Sequence, residues 1–227
     1  MLYWDNTYYL LILAFLLSAL ASFGVQAAFS KYKNVFSRRG MTGMDAARRI
    51  LDANGLYGVR IEHISGNLND HYDPRSNVIR LSDATYSSSS VASIGVAAHE
   101  AGHAIQHAVG YVPIKIRNAI VPVANIGSTL SMPLFFIGLL LGIPALAMGG
   151  VILFSAILVF QVATLPVEFN ASRRALSILN HSGILEPEEV QAAGKVLRAA
   201  AMTYVAAVAA SALQLLRLLA IVNRRRD

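Results

Sequence analysis

The sequence has no cysteine and few charged residues, and both absences exclude whole classes of protein. Of its 227 residues, 14% are charged and 55% are hydrophobic. Without cysteine, neither disulfides nor thiolate metal sites can form, so any metal must be held by His, Asp or Glu. Because about a quarter of the residues are charged in ordinary soluble domains, this composition favours membrane spans joined to a smaller polar domain.

Basic residues outnumber acidic ones, and the net charge of +6 could suggest a nucleic-acid partner. However, the basic residues are scattered or lie at the ends of apolar runs, as in membrane proteins, and no RNA- or DNA-binding motif is visible. We therefore expect the chain to contact a lipid bilayer and no nucleic acid.

The first long apolar run predicts a membrane anchor. Residues 6–30 contain no charge, and residues 8–29 are long enough to cross a bilayer as a helix. A cleavable signal peptide is the alternative, because Ala19-Leu20-Ala21 resembles a cleavage site, but no basic residue precedes the run. Basic residues follow it instead. We therefore predict that residues 1–30 form an uncleaved anchor. By the positive-inside rule, the basic residues after it place residue 31 onwards in the cytoplasm.

Residues 118–167 form a second uncharged stretch, which is too long for a single crossing. As one helix this stretch would measure about 75 Å, whereas the hydrocarbon core of a bilayer is about 30 Å thick. We predict two spans, near residues 120–140 and 145–165, joined by a turn at Gly142-Ile143-Pro144. Two crossings return the chain to the side that it left, so residue 168 should face the same compartment as residue 117.

The C-terminal part, residues 199–227, combines an Ala-rich apolar stretch with a basic tail. A fourth span over residues 199–222 would carry Gln214 and Arg217, and it would leave the arginine-rich tail outside, against the positive-inside rule. A helix that packs on the others or lies in the interface avoids that conflict. We favour the span, and we expect three to four transmembrane helices, depending on whether this stretch crosses the bilayer.

One segment between the apolar stretches carries a metal-binding motif, His99-Glu100-Ala101-Gly102-His103. A serine run that ends at Ser90 offers caps for the start of a helix, and Gly110 follows the motif as a stop. We therefore expect a helix from the serine run to about residue 108. On that helix, His99 and His103 lie one turn apart on one face, where both imidazoles can reach one metal ion. Glu100 projects beside that face and can take a proton from a metal-activated water. The pattern indicates a hydrolytic site for one zinc ion, rather than a surface helix with incidental histidines.

A catalytic zinc takes three protein ligands, so the motif needs one more. His107 continues the four-residue spacing, but it lies about 12 Å along the helix from His99 and cannot reach the same ion. His63 and His71 are further candidates, although loop histidines more often form ordinary hydrogen bonds. We prefer Glu168, because it begins a second helix pattern directly after the uncharged stretch, and a separate helix can present its carboxylate to the two imidazoles.

The polar residues fall in two blocks, 31–117 and 168–198, which we expect to form one α+β catalytic domain in two parts. In the first block, a capping pattern at Thr42 predicts a helix. Residues 59–64 and 77–81 predict strands on either side of a turn-rich loop. The second block begins with the proposed third ligand.

A resemblance to a known family lies in three stretches, residues 70–82, 99–107 and 165–175. Together they are similar to the YugP-like bacterial neutral zinc metallopeptidases, and the similarity covers nearly the whole chain. The resemblance implies a multi-pass peptidase of the gluzincin type in a bacterial cell membrane. It also implies zinc ligands and a catalytic residue, namely His99, His103, Glu168 and Glu100. The expected fold is a mainly α membrane protein with a small α+β zincin-like catalytic domain.

The chain also resembles, more distantly, the membrane proteases of the HtpX and Ste24 type, and it departs from their pattern at one position. Those proteins carry an Asp four residues after the ligand Glu, whereas this chain has Ser172 there. The second ring nitrogen of a zinc-bound imidazole usually donates to a hydrogen-bond partner. We therefore expect Asn170 or another residue to do that work.

The function that follows is hydrolysis of polypeptides, with membrane proteins among the substrates, at the cytoplasmic face of the membrane. Metal-activated water would attack a peptide carbonyl, and Glu100 would pass the proton to the leaving amine. Candidates for stabilising the oxyanion or for supporting the ligands are Arg173, Tyr111, His71, His107 and Asn170. An extended substrate could pair with the second predicted strand, unless that strand is internal. Its residues are Asn77, Val78, Ile79, Arg80 and Leu81.

Two other functions are compatible with parts of the sequence. A non-enzymatic metal-binding membrane protein, such as a transporter or an assembly factor, would bind zinc but would not need Glu100 as a base. An intramembrane metalloprotease would place the motif helix inside the bilayer. Arg80 and Asp83 precede that helix, and Lys115 and Arg117 follow it, which argues against the second alternative.

Overall fold

The computed structural model describes residues 7–224, which form seven helices and one three-stranded sheet. The helices are α1 (Tyr8–Tyr32), α2 (Gly43–Ala53), α3 (Asp83–Tyr86), α4 (Val91–Ala108), α5 (Val112–Leu140), α6 (Pro144–His181) and α7 (Pro187–Asn223). The strands are β1 (Arg60–Ile64), β2 (His71–Asp73) and β3 (Val78–Ser82). The predicted fold class, a mainly α membrane protein with a small α+β domain, is confirmed.

Among the described residues, four helices are long and apolar enough to cross a membrane, namely α1, α5, α6 and α7. The prediction was three to four spans, and the described residues contain four candidates. α5 continues through Pro122 and Pro133. The predicted turn between α5 and α6 is present, and Gly142 there takes a left-handed φ of +66°, which glycine adopts without steric cost.

A single long helix, α6, replaces the two elements that the sequence predicts on either side of residue 166. It has 38 residues and includes Pro166. A proline removes one backbone donor, but helices in apolar surroundings tolerate it when nearby groups satisfy the freed carbonyl. As a consequence, Glu168 lies on the same continuous helix as the apolar stretch before it.

The chain divides into two compact units. Of the described residues, the apolar unit takes in 7–22, Lys115–Pro166 and 202–224, and the sheet unit takes in Phe23–Ile114 and Val167–Ala201. Fully buried side chains from α2, β3, α4 and α6 form the core of the sheet unit, among them Ile50, Leu51, Ile79, Leu81, Ile94 and Leu179. Every candidate site residue named above belongs to the sheet unit.

Local sequence signals predict several helices and strands of the sheet unit. The Thr42 side chain accepts from the Asp45 backbone N–H, and the Asp45 carboxylate accepts from the Thr42 N–H, so the predicted capping pattern is a complete capping box. It starts α2, which buries Ile50 and Leu51 against the rest of the unit. The predicted strands over 59–64 and 77–81 appear as β1 and β3.

The sheet has the strand order β1-β3-β2, with β1 parallel and β2 antiparallel to β3. Val78, Ile79 and Arg80 therefore pair with β1 on one side and with β2 on the other. The central strand therefore has no free edge at these three residues, which argues against the predicted pairing of a substrate with residues 77–81.

β2 lies inside the segment that the sequence predicts as a turn-rich loop. Its three residues are too few to show an alternating pattern, and Asp70, Asp73 and Pro74 are typical turn formers. The Asp73 carboxylate also accepts from the Arg75 N–H and the Ser76 hydroxyl, as in a turn. This strand forms because β3 supplies its pairing partner, and a local sequence pattern does not show such a contact.

Candidate metal centre

α4 carries three of the candidate residues on one rigid element. The Ser90 side chain accepts a hydrogen bond from the Ser93 backbone N–H at 3.1 Å and caps the start of the helix. Gly110, just beyond its end, takes a left-handed φ of +64°. The helix predicted for the motif is thus confirmed at both ends.

A glycine in the motif allows α4 and α6 to approach each other closely. A Cβ atom at Gly102 would lie only 2.8 Å from the backbone oxygen of Ala171. Gly102 stands between the two motif histidines, and Ala171 stands one turn beyond Glu168. The close approach therefore places a carboxylate of one helix against the imidazoles of the other.

Three potential ligand atoms converge at this point. Glu168 Oε2 lies 3.3 Å from His99 Nε2 and 3.5 Å from His103 Nε2, and the two Nε2 atoms are 3.1 Å apart. A tetrahedral zinc with bonds of about 2.0–2.2 Å holds its ligand atoms about 3.3–3.6 Å apart. The three side chains therefore outline a triangle of the size of one face of a zinc tetrahedron.

A buried glutamine sets the tautomer of His103. The side-chain Nε2 of Gln106 donates to the backbone oxygen of Val167 at 2.8 Å and to Asn170 Oδ1 at 3.0 Å, which fixes the direction of the amide. Its Oε1 lies 3.1 Å from His103 Nδ1 and can only accept, so the ring proton sits on Nδ1. The Nε2 lone pair of His103 is then directed at the triangle.

Ser172 makes the corresponding contact to the other imidazole, with its Oγ 3.1 Å from His99 Nδ1. Ser172 thus contacts the ring nitrogen for which we expected Asn170 or another residue, and the contribution of Asn170 is indirect. Asn170 Oδ1 accepts from Gln106 and from the Arg174 guanidinium at 2.8 Å.

This donor set fits a metal ion. With the ring protons on Nδ1, two Nε2 lone pairs and a carboxylate oxygen would face one another within 4.8 Å, which is repulsive without a cation between them. Imidazole and carboxylate are also the ligand types that zinc accepts in the absence of thiolates. Among the described residues, these three form the group of His, Asp and Glu side chains that could hold an ion.

Glu100 lies beside the triangle and is 8% exposed. Its Oε2 accepts a hydrogen bond of 2.9 Å from the Tyr72 backbone N–H on β2. Burial raises the pKa of Glu100 above its usual value, and the neighbouring imidazoles of His99 and His103 oppose that shift. A carboxylate with a raised pKa is a better proton acceptor, as a general base requires.

The other candidate residues lie around the triangle or away from it. The His107 ring is 6.1 Å from the Tyr72 ring, measured between centroids. His71 is exposed, with Nδ1 2.9 Å from the Asn69 backbone oxygen. Arg173 lies on an exposed face of α6, and Tyr111 is half-buried just after α4. None of these four belongs to the group of ligand atoms, and neither does His63, whose Nε2 is 2.6 Å from Asp83 Oδ1.

Sequence reasoning did not single out two contacts of the site, those of Gln106 and of the Tyr72 backbone. Gln106 follows His103 by three residues, so the spacing that places side chains on one helix face could have indicated it. The Tyr72 contact has no such signal, because it depends on a strand that pairs with β3.

Comparison with known proteins identifies the family of this chain. The family described as "Putative neutral zinc metallopeptidase" matches residues 7–223. The chain belongs to this family. It is also 48% identical over 219 residues, covering 96% of this chain and 97% of the relative, to the "Putative membrane protease YugP" of Bacillus subtilis (strain 168). No solved structure matches the chain.

The match confirms the family resemblance, and family membership indicates zinc as the ion. It covers almost all described residues, so both stretches that meet at the triangle, α4 and the second half of α6, lie within it. The four apolar helices agree with the membrane location in the relative's name.

Proposed function

We propose that this chain is a zinc-dependent membrane endopeptidase, in which His99, His103 and Glu168 bind the ion and Glu100 moves the proton. One observation carries the proposal: three ligand atoms of types that zinc accepts lie within 4.8 Å of one another, and a buried glutamate stands beside them. Membership of a zinc metallopeptidase family supports the same ion and the same class of reaction.

Zinc bound to these side chains would polarise a peptide carbonyl and make water a stronger nucleophile. Glu100 takes the proton of the attacking water and later delivers it to the leaving nitrogen. The Tyr72 N–H holds one oxygen of the Glu100 carboxylate, which keeps the side chain oriented and leaves its other oxygen for the water. The residue that stabilises the oxyanion is still only predicted, and the candidates are Arg173, Tyr111 and His71.

We further propose that the site faces the cytoplasm of a bacterial cell. The basic residues that follow the first apolar run support this orientation through the positive-inside rule. The proposed parts of the chain are an anchor, a first catalytic part, a hairpin of two spans, a second catalytic part and a C-terminal span with its tail. Their limits are residues 1–30, 31–117, 118–167, 168–198 and 199–227.

The decisive experiment measures zinc content and peptide cleavage with the full chain purified in detergent. We expect Glu100→Ala to keep about one zinc per chain and to lose turnover by about 100- to 10,000-fold, because it removes the proton carrier and no ligand. We expect Glu168→Ala to lose zinc on dialysis, because it removes a ligand. Glu188→Ala, at an exposed glutamate that opens α7, is the matched control and should change neither quantity.

Other outcomes would point to other functions. A wild-type protein that binds zinc but cleaves no unfolded polypeptide, with Glu100→Gln behaving identically, would indicate a non-enzymatic metal-binding protein. The intramembrane alternative has less support, because α4 is not one of the four described helices with the length and hydropathy of a span.

A further inference from the structure

The segment that follows α1 exposes an aromatic side chain between two cations. We call residues 33–38 the juxtamembrane loop, and their sequence is Lys33-Asn34-Val35-Phe36-Ser37-Arg38. Phe36 is 64% exposed, and its neighbour Val35 is 41% exposed. Single exposed apolar residues are common on protein surfaces, so the surroundings of Phe36 decide what its exposure means.

The backbone of the juxtamembrane loop is held on the sheet unit. The Ser37 N–H donates to the Ser89 carbonyl at 2.9 Å, and the Arg38 N–H donates to the buried Glu189 carboxylate at 2.8 Å. Ser37 is buried, whereas Phe36 and Arg38 on either side of it are exposed. Phe36 forms an antiparallel bridge, and in such an extended segment alternate side chains point the same way. The fold therefore presents an aromatic ring and a cation side by side on one outward face.

The cations of the loop are available to an anionic partner. In the part of the chain that the structure describes, neither Lys33 nor Arg38 takes part in an ion pair, whereas the adjacent Arg39 pairs with Glu186 at 3.1 Å. Residues 6–44 include no Asp or Glu, so the sequence around the loop is basic throughout. A partner that fits this surface must be negatively charged and must also accept an apolar ring.

The chain brings the loop close to a bilayer. α1 has the length and hydropathy of a membrane span, and it ends at Tyr32. Phe36 follows Tyr32 by four residues, which even a fully extended chain separates by no more than about 14 Å. The polar layer on each side of the hydrocarbon core is about 5–8 Å thick. The loop is thus within reach of the headgroups at the end of α1, and an anionic bilayer offers both properties that its surface requires.

We propose that the juxtamembrane loop is a lipid-binding surface: Phe36 inserts between the headgroups of the adjacent leaflet, and Lys33 and Arg38 bind the phosphates of anionic phospholipids. Aromatic side chains bind at the boundary between headgroups and acyl chains in interfacial segments. Each Lys or Arg near an anionic leaflet strengthens the attraction by about fivefold. The spans hold the chain in the membrane, and the loop sets how the sheet unit contacts the bilayer surface.

This contact bears on the candidate metal centre through α4. The Val91 N–H at the start of α4 donates to the Val35 carbonyl at 2.8 Å. His99 follows Val91 by eight residues, about 12 Å along the helix. The lipid-binding surface is therefore bonded directly to the element that carries the motif. The inference concerns the position of this element at the membrane and does not depend on peptide cleavage.

The position of the loop is measured with the full chain in liposomes. Because the chain has no cysteine, Asn34→Cys accepts a single fluorophore two residues from Phe36. Phospholipids that carry a nitroxide quench only nearby fluorophores, so we expect strong quenching at residue 34. Asn67→Cys, also at an exposed asparagine but in the loop between β1 and β2, is the matched reference and should be quenched weakly. Equal quenching at the two positions would overturn the proposal and favour a protein partner for Phe36.

Variants at Phe36 test the insertion of its ring. Phe36→Ala should lower the quenching at residue 34 towards that of the reference, whereas Phe36→Trp keeps an aromatic ring and should preserve it. The side chain is exposed, so neither change is expected to disturb the fold. Equal quenching in the two variants would overturn the insertion of Phe36.

The role of the cations is tested by comparing nitroxide-labelled phosphatidylglycerol with nitroxide-labelled phosphatidylcholine. We expect phosphatidylglycerol to quench the fluorophore at residue 34 more strongly, by about fivefold for each cation that binds a headgroup. Lys33→Gln with Arg38→Gln should bring the two lipids close to equal quenching. Arg75→Gln with Lys195→Gln removes the same charge from exposed positions elsewhere in the sheet unit and should keep the wild-type ratio. Equal quenching by both lipids in the wild type, or equal ratios in the two double variants, would overturn the binding of anionic headgroups.

Discussion

Uncharged side chains orient both imidazoles of the candidate site. Gln106 holds His103, and Ser172 holds His99. In many zinc sites a carboxylate does this work and makes the imidazole more basic. Here Glu168 contacts both imidazoles, and the charges of Glu168 and Asp70 act on Glu100, so the acidic groups of the proposed site do not include a partner of the imidazole Nδ1 atoms.

Gln106 gives a prediction at the scale of single residues. Gln106→Ala should weaken zinc binding by about 10- to 100-fold, because the His103 ring loses the acceptor that fixes its tautomer. Gln191→Ala, at an exposed glutamine of α7, is the control. Competition with a chelator of known affinity measures both variants. An affinity equal to wild type would show that the contact does not orient the ligand.

The buried position of Glu100 predicts a pH dependence. Its pKa is raised above the usual 4.5, mainly by burial, and the residue must be deprotonated to accept a proton. As pH falls through the raised pKa, Glu100 becomes protonated and activity is lost. The acid limb of kcat/KM against pH should therefore lie above pH 4.5 and should be absent from the residual activity of Glu100→Ala. An acid limb at or below pH 4.5 would contradict this assignment.

At the scale of elements, the site depends on how closely two helices pack. The prediction concerns Gly102→Ala. The added methyl group would overlap the backbone oxygen of Ala171, which, unlike a side-chain atom, cannot rotate away. We expect a loss of about 1–3 kcal/mol in stability, which thermal unfolding measures, together with weaker zinc binding. Gly24→Ala, at a helical glycine with nothing within 4 Å of the added atom, should leave both unchanged or raise stability slightly. An unchanged melting temperature in Gly102→Ala would show that the helices adjust without cost.

Elements with strong local signals match their predictions, and those that depend on distant partners do not. The α4 helix has a serine cap and a following glycine, and α2 has a complete capping box. β2 has neither a cap nor an alternating pattern, and it exists because Ile79 and its neighbours provide a ladder. The continuity of α6 through Pro166 is likewise a property of the folded surroundings of the helix.

At the scale of the whole molecule, the absence of cysteine makes the orientation directly testable. We expect an impermeant thiol reagent to label Ser87→Cys in inside-out membrane vesicles and not in right-side-out ones. Leu141→Cys, in the turn between α5 and α6, should show the opposite pattern. In the proposed topology the chain crosses the membrane once, as α5, between the site and this turn. Both positions are exposed in the structure. Labelling of both residues from the same side would contradict the proposed topology.

The sequence by itself determined the chemical possibilities of this protein. The lack of cysteine leaves only His, Asp and Glu as metal ligands, the spacing of His99 and His103 places them on one helix face, and long uncharged runs indicate membrane helices. These properties are local, because they depend on residues within one or two turns or on the composition of a single segment.

The tertiary structure alone decided which groups meet. It places β3 in the centre of the sheet and β2 at its edge beside Glu100, and it brings Ser172 to the imidazole of His99 and the Val167 carbonyl to the Gln106 amide. Most of these contacts join residues far apart in the chain, whose approach depends on strand pairing and on close packing at Gly102. No local pattern encodes that packing, since the free energy that favours it comes from surfaces that meet only in the folded chain.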